Sequence, residues 1–231
     1  MDSNTCQVSQ RKQRSGDEVD LKIELIKQPA GSMLCGLACM EMITKYMKSE
    51  CPEARQVFEK GALETSIALV YLANGLNSVV FQTPDGEWLP NKYADMKPDE
   101  VVRSLRIRKL KLKNNTLMTQ VFEEIADALE QDVLRFKIPS RELIEANLRQ
   151  GNPWIVGVNP HILHSTPEIT KDNPGHFVVV SGFDKDSFIV NDPCPKKGGT
   201  IKVQKDRLMF AMFDSTGAAV CVSGRRKFVE K

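Results

Sequence analysis

Short β-forming segments fill the last third of the chain, and they limit the folds open to it more than any other feature. The segments are PWIVGVN, HFVVVSGF, SFIVND, TIKV and AAVCVSG, and residues typical of turns separate them. One short helical segment, KDRLMFAMF, interrupts the series near its end. Helical patterns gather in the first two thirds instead, so strands and helices do not alternate. This segregation predicts an α+β fold with an antiparallel sheet.

Apolar residues at helical spacing predict helices ahead of these strands. They recur every three or four positions after the cysteine at position 35, so we expect a helix from about Cys35 to Met47. The other predicted helices begin near Pro52, or cover Glu64 to Gly75, Leu117 to Gln131 and Ser140 to Gln150.

Three further strands are predicted in the first half of the chain. Two are short, Leu21 to Ile26 and Ser78 to Gln82. The third, Arg103 to Asn115, alternates apolar residues with six basic ones. We interpret its basic face as a solvated sheet edge that charge protects from aggregation. The alternative is that it attracts an acidic segment of a substrate.

Length and composition favour one globular domain of 231 residues. Residues 1–20 are polar and aperiodic, which predicts a disordered tail. The domain would then cover 21–231, with a helical lobe over about 35–150 and a strand-rich lobe over about 151–223. The long segments 83–98 and 160–175 are interpreted as surface loops.

Charge and hydropathy exclude several classes of protein. The 32 basic and 30 acidic residues give a net charge of +2, which is too balanced for general binding to nucleic acid or a membrane surface. A secretory signal and a stretch of about 18 apolar residues are both missing from the sequence. The six cysteines include no C-x-x-C pair, and with three histidines they give no metal-ligand spacing. We therefore expect a cytoplasmic protein with reduced thiols, no metal and no cofactor.

Cys35 is the candidate nucleophile. It stands where a Gly-containing turn, PAGS, meets the predicted helix, so its sulfur would face unpaired backbone N–H groups and the positive end of the helix dipole. Both favour the thiolate over the thiol. Gly36, directly after it, would let another segment approach closely.

His176 is the candidate base, and Asp192 its orienting carboxylate. His176 opens a β-forming run after a Pro-Gly turn, and Asp192 closes the next run. If a tight turn near 183–187 joins these two strands, the start of the first lies beside the end of the second. Asn191 has the opposite strand parity and would point away. His161 and His164 fall in the predicted loop 160–175, so we interpret them as surface residues.

Gln28 completes the set as an oxyanion donor. It lies seven residues before Cys35, where its side-chain amide could act with the Cys35 backbone N–H. Such donors can lower a barrier by roughly 3 kcal/mol.

These residues resemble the peptidase domain of the bacteriocin-processing cysteine peptidases. The resemblance rests on Gln28, on the segment CGLACM from Cys35, on GHFVVVSG around His176 and on VNDP around Asp192. It implies a papain-like fold, a cleft between the two lobes, and cleavage of leader peptides after a double glycine. Two positions differ from the family: Leu34 stands where Asp is usual, and the interval from Gln28 to Cys35 is one residue longer.

The resemblance implies a cysteine-dependent hydrolase that cleaves a peptide or amide bond through a thioester. Cys35 would be the nucleophile, His176 the base, Asp192 the orienter and Gln28 the oxyanion donor, with a peptide or protein as substrate. Two alternatives stay open. An acyl or peptidyl transferase could use the same site, and a non-catalytic peptide-binding module could keep the same fold.

Overall fold

The computed structural model describes residues 18–49, 62–84, 89–112, 115–166 and 175–224. The helices are α1 Cys35–Met47, α2 Glu64–Ala73, α3 Pro98–Lys111, α4 Thr116–Glu130, α5 Arg141–Arg149, α6 Pro160–His164 and α7 Lys205–Phe213, with a 3-10 helix at Asn91–Asp95. The strands are β1 Val19–Asp20, β2 Asn77–Gln82, β3 Leu134–Phe136, β4 Trp154–Val158, β5 His176–Phe183, β6 Ser187–Asn191, β7 Thr200–Gln204 and β8 Ala218–Ser223.

One eight-stranded sheet organises these elements. Seven strands lie in the order β3-β2-β8-β4-β5-β6-β7, and β1 pairs with the far end of β5. The neighbours pair antiparallel, except that β2 and β3 are parallel. The predicted α+β fold is therefore observed, with helices covering an almost wholly antiparallel sheet.

Alternate side chains of each strand enter different cores, as strand geometry requires. Val80, Ile155 and Val179 face a core shared with α1, α2, α3 and α4. Their sequence neighbours, such as Val79 and Val156, face a second core shared with α5 and α7. Because both faces of the sheet are covered, its central strands are almost entirely buried. The site described below lies at one end of this rigid sheet.

The strand predicted from Arg103 to Asn115 is wrong, because this segment belongs mainly to helix α3. Glu100 Oε2 caps the helix by accepting from the Lys97 backbone N–H at 3.2 Å, and Pro98 occupies its first turn. Basic side chains of α3 pair with α4: Arg106 with Glu130 at 2.9 Å and Lys109 with Glu123 at 2.7 Å. The alternating pattern misled the prediction because the apolar residues of this basic segment do not share one face. Some lie in the core, and others face solvent, as Leu110 does at 80% exposure.

Other parts of the sequence prediction need smaller changes. The predicted strand Leu21 to Ile26 is wrong, since the strand itself is Val19–Asp20, within the segment assigned to the tail, and is followed by a bond from Leu21 N–H to Ser181 O. The strand β3 was not predicted, and with β2 it brings residues of the predicted helical lobe into the sheet. The helix predicted near Pro52, the strand end at 113–114 and residues 1–17 of the tail lie outside the described residues.

None of the helices that the structure describes is both long and apolar enough to cross a membrane. A groove of about 790 Å³ lies between α3 and α4, and none of the predicted site residues lines it.

A buried carboxyl group ties α2 to the loop after α7. Glu64 is 6% exposed, and its Oε1 accepts a hydrogen bond from Thr216 Oγ1 at 2.5 Å. Gly157 of β4 leaves room for this pair, because a Cβ there would lie 2.7 Å from Glu64 Oε1. Burial raises the pKa of Glu64, and the hydrogen bonds from Thr216 and from the backbone only partly oppose this.

We expect Glu64→Gln to stabilise the protein relative to wild type increasingly as the pH rises above 4.5, the ordinary pKa of the group. A raised folded-state pKa contributes stability below that value and loses it as the pH rises through the folded value. The neutral amide does not ionise, so the gain at pH 8 should reach roughly 0.5–2 kcal/mol. Urea unfolding at several pH values measures it. Equal pH dependence in both proteins would contradict the prediction, and Glu24→Gln, at an exposed carboxylate, is the control.

Candidate active site

Cys35 is the first residue of α1, as the sequence predicts, and it is 8% exposed. Its neighbour Gly36 allows α1 to pack closely, because a Cβ there would lie 2.9 Å from Ala62 Cβ and 3.4 Å from the Phe177 ring. The preceding residue, Leu34, makes no side-chain cap on the helix. The first N–H groups of α1 therefore stay available to a negative charge near the sulfur.

His176 begins β5, which packs directly against α1. Its imidazole lies close enough to the Cys35 sulfur to lower the pKa of the thiol. Its Nε2 atom lies 2.7 Å from Asp192 Oδ1, so Nδ1 is the nitrogen that faces Cys35. The His176 ring thus lies between the sulfur and the carboxylate.

Asp192 directly follows β6, and it is fully buried. The backbone N–H of Cys194 also donates to Oδ1, at 2.7 Å. Backbone bonds in both directions with Gly199 hold the residue at the base of a compact turn. Asn191, before it, donates to Ile23 O instead, at 2.8 Å, as its strand parity predicts. The hairpin of β5 and β6 therefore brings His176 and Asp192 together as the sequence predicts.

The three groups shift one another's pKa. Burial alone would raise the pKa of Cys35, but the hydrogen bond and charge of His176, with the Phe177 and Gly36 N–H groups, lower it below the ordinary value. Burial alone would lower the pKa of His176, but its bonds to Asp192 and Cys35 raise it to about 9. These two shifts favour a thiolate beside an imidazolium at neutral pH.

The other buried groups have pKa shifts that fit this arrangement. Burial opposes ionisation of Asp192, but the bonds from His176, Cys194 and His164 lower its pKa overall. Burial raises the pKa of Cys39 well above its ordinary value, and that of Cys221 likewise. Cys39 and Cys221 are fully buried thiols.

Gln28 lies at the same cleft as Cys35. Its backbone N–H donates to Pro193 O at 3.0 Å, and its side-chain Nε2 donates to Ser32 O at 2.7 Å. The extra residue between Gln28 and Cys35 is absorbed by a turn in which Ser32 N–H bonds Pro29 O and Gly31 has a φ of 75°. One amide N–H of Gln28 is thus engaged with the turn, and the other has no partner among the residues that the structure describes.

His164 is the site residue that the sequence prediction missed. It is not on a surface loop: it ends helix α6, its side chain is 15% exposed, and its Nε2 lies 2.7 Å from Asp192 Oδ2. The helix follows β4 directly, with Asn159 as its N-cap and Pro160 as its first residue. The pair Asn159-Pro160 was the available signal, since Pro at the first position after an Asn cap favours a helix start.

A cleft of about 230 Å³ opens over these residues. Its lining comes from four separate parts of the chain and includes Gln28, Met33, Cys35, His164, Cys194 and Lys197. Met33 is 56% exposed at its edge. Because Cys35 is part of its lining, a ligand in the cleft has access to the sulfur.

A cysteine at the start of a helix, packed against a sheet that carries a histidine, within an α+β fold, is the arrangement of papain-like proteins. The chain belongs to the Peptidase_C39-like family, whose sequence model matches residues 20–214. No curated protein matches the sequence.

The chain is similar to several solved structures, and the first of them supports the fold. A candidate C39-like peptidase from Bacillus anthracis is 11% identical, with a TM-score of 0.55 over 91% of this chain and 100% of that chain. The peptidase domain of Streptococcus ComA, a bifunctional ABC transporter involved in a quorum-sensing pathway, is 15% identical, with a TM-score of 0.46 over 88% and 99%. A double-glycine-motif protease from an AMS/PCAT transporter, solved with its leader peptide, is 17% identical, with a TM-score of 0.41 over 89% and 96%.

Proposed function

We propose that this protein is a cysteine peptidase that cleaves a peptide bond at Cys35. The observation that carries the proposal is that His176 lies between Cys35 and Asp192, bonded to the carboxylate through Nε2 and lowering the pKa of the thiol. Membership of a peptidase family supports a peptide or protein as the substrate.

In the first half-reaction, the Cys35 thiolate attacks the carbonyl carbon of the scissile bond. The oxyanion that forms accepts hydrogen bonds from the Cys35 backbone N–H and from the free N–H of Gln28. His176 gives its proton to the leaving nitrogen, the C–N bond breaks, and the acyl group stays on Cys35 as a thioester. Asp192 stabilises the imidazolium before this transfer and holds the ring in position.

In the second half-reaction, neutral His176 takes a proton from water, and the resulting hydroxide attacks the thioester. The C–S bond breaks, the carboxylic acid leaves, and Cys35 returns as a thiolate.

The mechanism needs a reduced thiol. The four described cysteines Cys35, Cys39, Cys194 and Cys221 are free, which supports a reducing compartment such as the cytoplasm.

The test needs no knowledge of the substrate. We expect iodoacetamide to modify Cys35 rapidly well below pH 7 in wild type, because the thiolate is already formed there. In His176→Ala the rate should rise only near the ordinary thiol pKa of about 8.5. At pH 6 the variant should react up to about tenfold more slowly than wild type. The difference is no larger because the low-pKa thiolate of wild type is a weaker nucleophile. Mass spectrometry of peptides identifies the modified cysteine.

Equal pH profiles in wild type and His176→Ala would contradict the proposal and favour a peptide-binding module. If Cys35 proves activated, added amines then separate hydrolysis from transfer. A transferase yields an acylated amine, whereas a peptidase yields the free acid.

A further inference from the structure

Asp192 lies between two histidines, and only one of them has a role in the mechanism above. His176 Nε2 is 2.7 Å from Oδ1, and His164 Nε2 is 2.7 Å from Oδ2. Both distances are short for N–H···O bonds, as expected with a carboxylate acceptor. The carboxylate is fully buried, so water does not replace either donor.

We propose that His164 is a positioning residue of the Cys35 site, which holds the second carboxylate oxygen of Asp192 and so fixes the carboxylate toward His176. This inference rests on the proposed function, because it assigns His164 a part in the same reaction. His164 acts through Asp192 and does not touch the sulfur.

The two oxygens of Asp192 have unequal support. Oδ1 accepts from both His176 and the Cys194 backbone N–H. Among the described residues, His164 is the one side chain that donates to Oδ2. Without it, the carboxylate keeps donors on one oxygen and has a buried oxygen with none. Its negative charge is then compensated by hydrogen bonds at Oδ1 alone.

His164 also limits how strongly Asp192 holds the proton of His176. A donor on Oδ2 draws part of the negative charge, so the carboxylate is a weaker acceptor at Oδ1. The direction is the same whether His164 is neutral or protonated, since in both states its Nε2–H faces the carboxylate. His176 must release its proton to the leaving nitrogen, so a weaker hold favours the transfer.

The surrounding charged groups leave Asp192 as the partner of His164. On the same helix, His161 Nδ1 lies 3.2 Å from Thr166 Oγ1. From the loop after α7, which packs on α6, Asp214 accepts from Asn159 Nδ2 at 2.7 Å. The cleft that His164 lines is also lined by Cys35, Cys194 and Lys197.

The test uses iodoacetate, whose negative charge makes it react fastest while His176 is an imidazolium beside the thiolate. The rate therefore falls at high pH as His176 loses its proton. In His164→Leu we expect this fall to move to higher pH by about 0.5–1 unit, because Asp192 then holds the proton more strongly. In His164→Gln, whose amide nitrogen can donate to Oδ2, the fall should stay close to its wild-type position. His161→Leu, on the same helix, is the matched control and should leave it unchanged.

Three outcomes are informative. The proposal fails if His164→Leu, shown by its thermal unfolding to be folded, has the wild-type profile or a fall that moves to lower pH. It also fails if His164→Gln shifts as much as His164→Leu, because the hydrogen bond is then irrelevant. A failure of the proposed function looks different: the wild-type profile itself would lack the low-pH reactivity and would not change in His176→Ala.

Discussion

Replacing Cys35 with alanine is expected to lower the rate of peptide hydrolysis by about 10⁴-fold or more, since a nucleophile has no substitute in a covalent mechanism. The fold should survive, because alanine suits the first turn of a helix and the lost sulfur lies at the cleft wall. The measurement is the cleavage of a peptide library by wild type and variant, read by mass spectrometry at equal concentrations of folded protein.

The matched control is Cys39→Ala, one turn further along α1. Cys39 is fully buried, and burial raises the pKa of its thiol well above the ordinary value, so it is not a reactive group. We expect this variant to lose some stability through a small cavity and to keep most of its activity. If Cys35→Ala cleaved peptides as fast as wild type, the mechanism would be wrong even if Cys35 proved highly reactive to alkylation.

Asp192→Asn is expected to lower kcat by roughly 10²- to 10⁴-fold, comparable with the loss of the orienting carboxylate in serine-protease triads. The structure gives a specific reason. The carboxylate accepts from His176 on one oxygen and from His164 on the other, and an amide offers one oxygen and one NH₂ donor. At least one imidazole then loses its acceptor, and His176 loses the charge that stabilises its protonated form.

The same substitution should cost about 2–4 kcal/mol of stability, since a buried charge-assisted pair is broken. This cost depends on pH. The lowered pKa of Asp192 makes its contribution present above 3.8 and lost as the pH falls through the folded value. The raised pKa of His176 makes its contribution present below 6.5 and lost as the pH rises through about 9. The difference in unfolding free energy between wild type and Asp192→Asn should therefore be largest between pH 3.8 and pH 6.5. A difference that does not change with pH would contradict the assigned ion pair.

The sequence predicted an element correctly where its local signals, such as a cap or a regular apolar period, had no competing pattern. Helix α1 has its predicted bounds, Cys35 to Met47, because its apolar period is regular and a turn precedes it. Helix α5 begins at its predicted Ser140 cap, whose Oγ accepts from Leu143 N–H at 3.3 Å. By contrast, α3 was mistaken for a strand, because its basic side chains are stabilised by α4, a partner that no local pattern reveals.

The residues of the candidate site also fall into two groups, those that the local sequence could place and those that depend on packing between distant segments. His176 and Asp192 could be paired from the sequence, because a tight hairpin fixes which strand ends are neighbours. Cys35 could be singled out by its place at a helix start, but its contact with His176 depends on the packing of α1 against β5. His164 could not be placed on Asp192, because α6 follows a different strand, and only the order of β4 and β5 in the sheet brings it there.

The sequence by itself determined the segregated α+β character, the helix that carries Cys35 and the hairpin that carries His176 and Asp192, since each depends on residues close together in the chain. Only the tertiary structure decided that the sheet has eight strands, that Glu64 is buried beside Thr216 and that two histidines share one carboxylate. The physical reason is that burial and hydrogen bonding between distant segments depend on how the layers pack, and packing is a property of the whole chain.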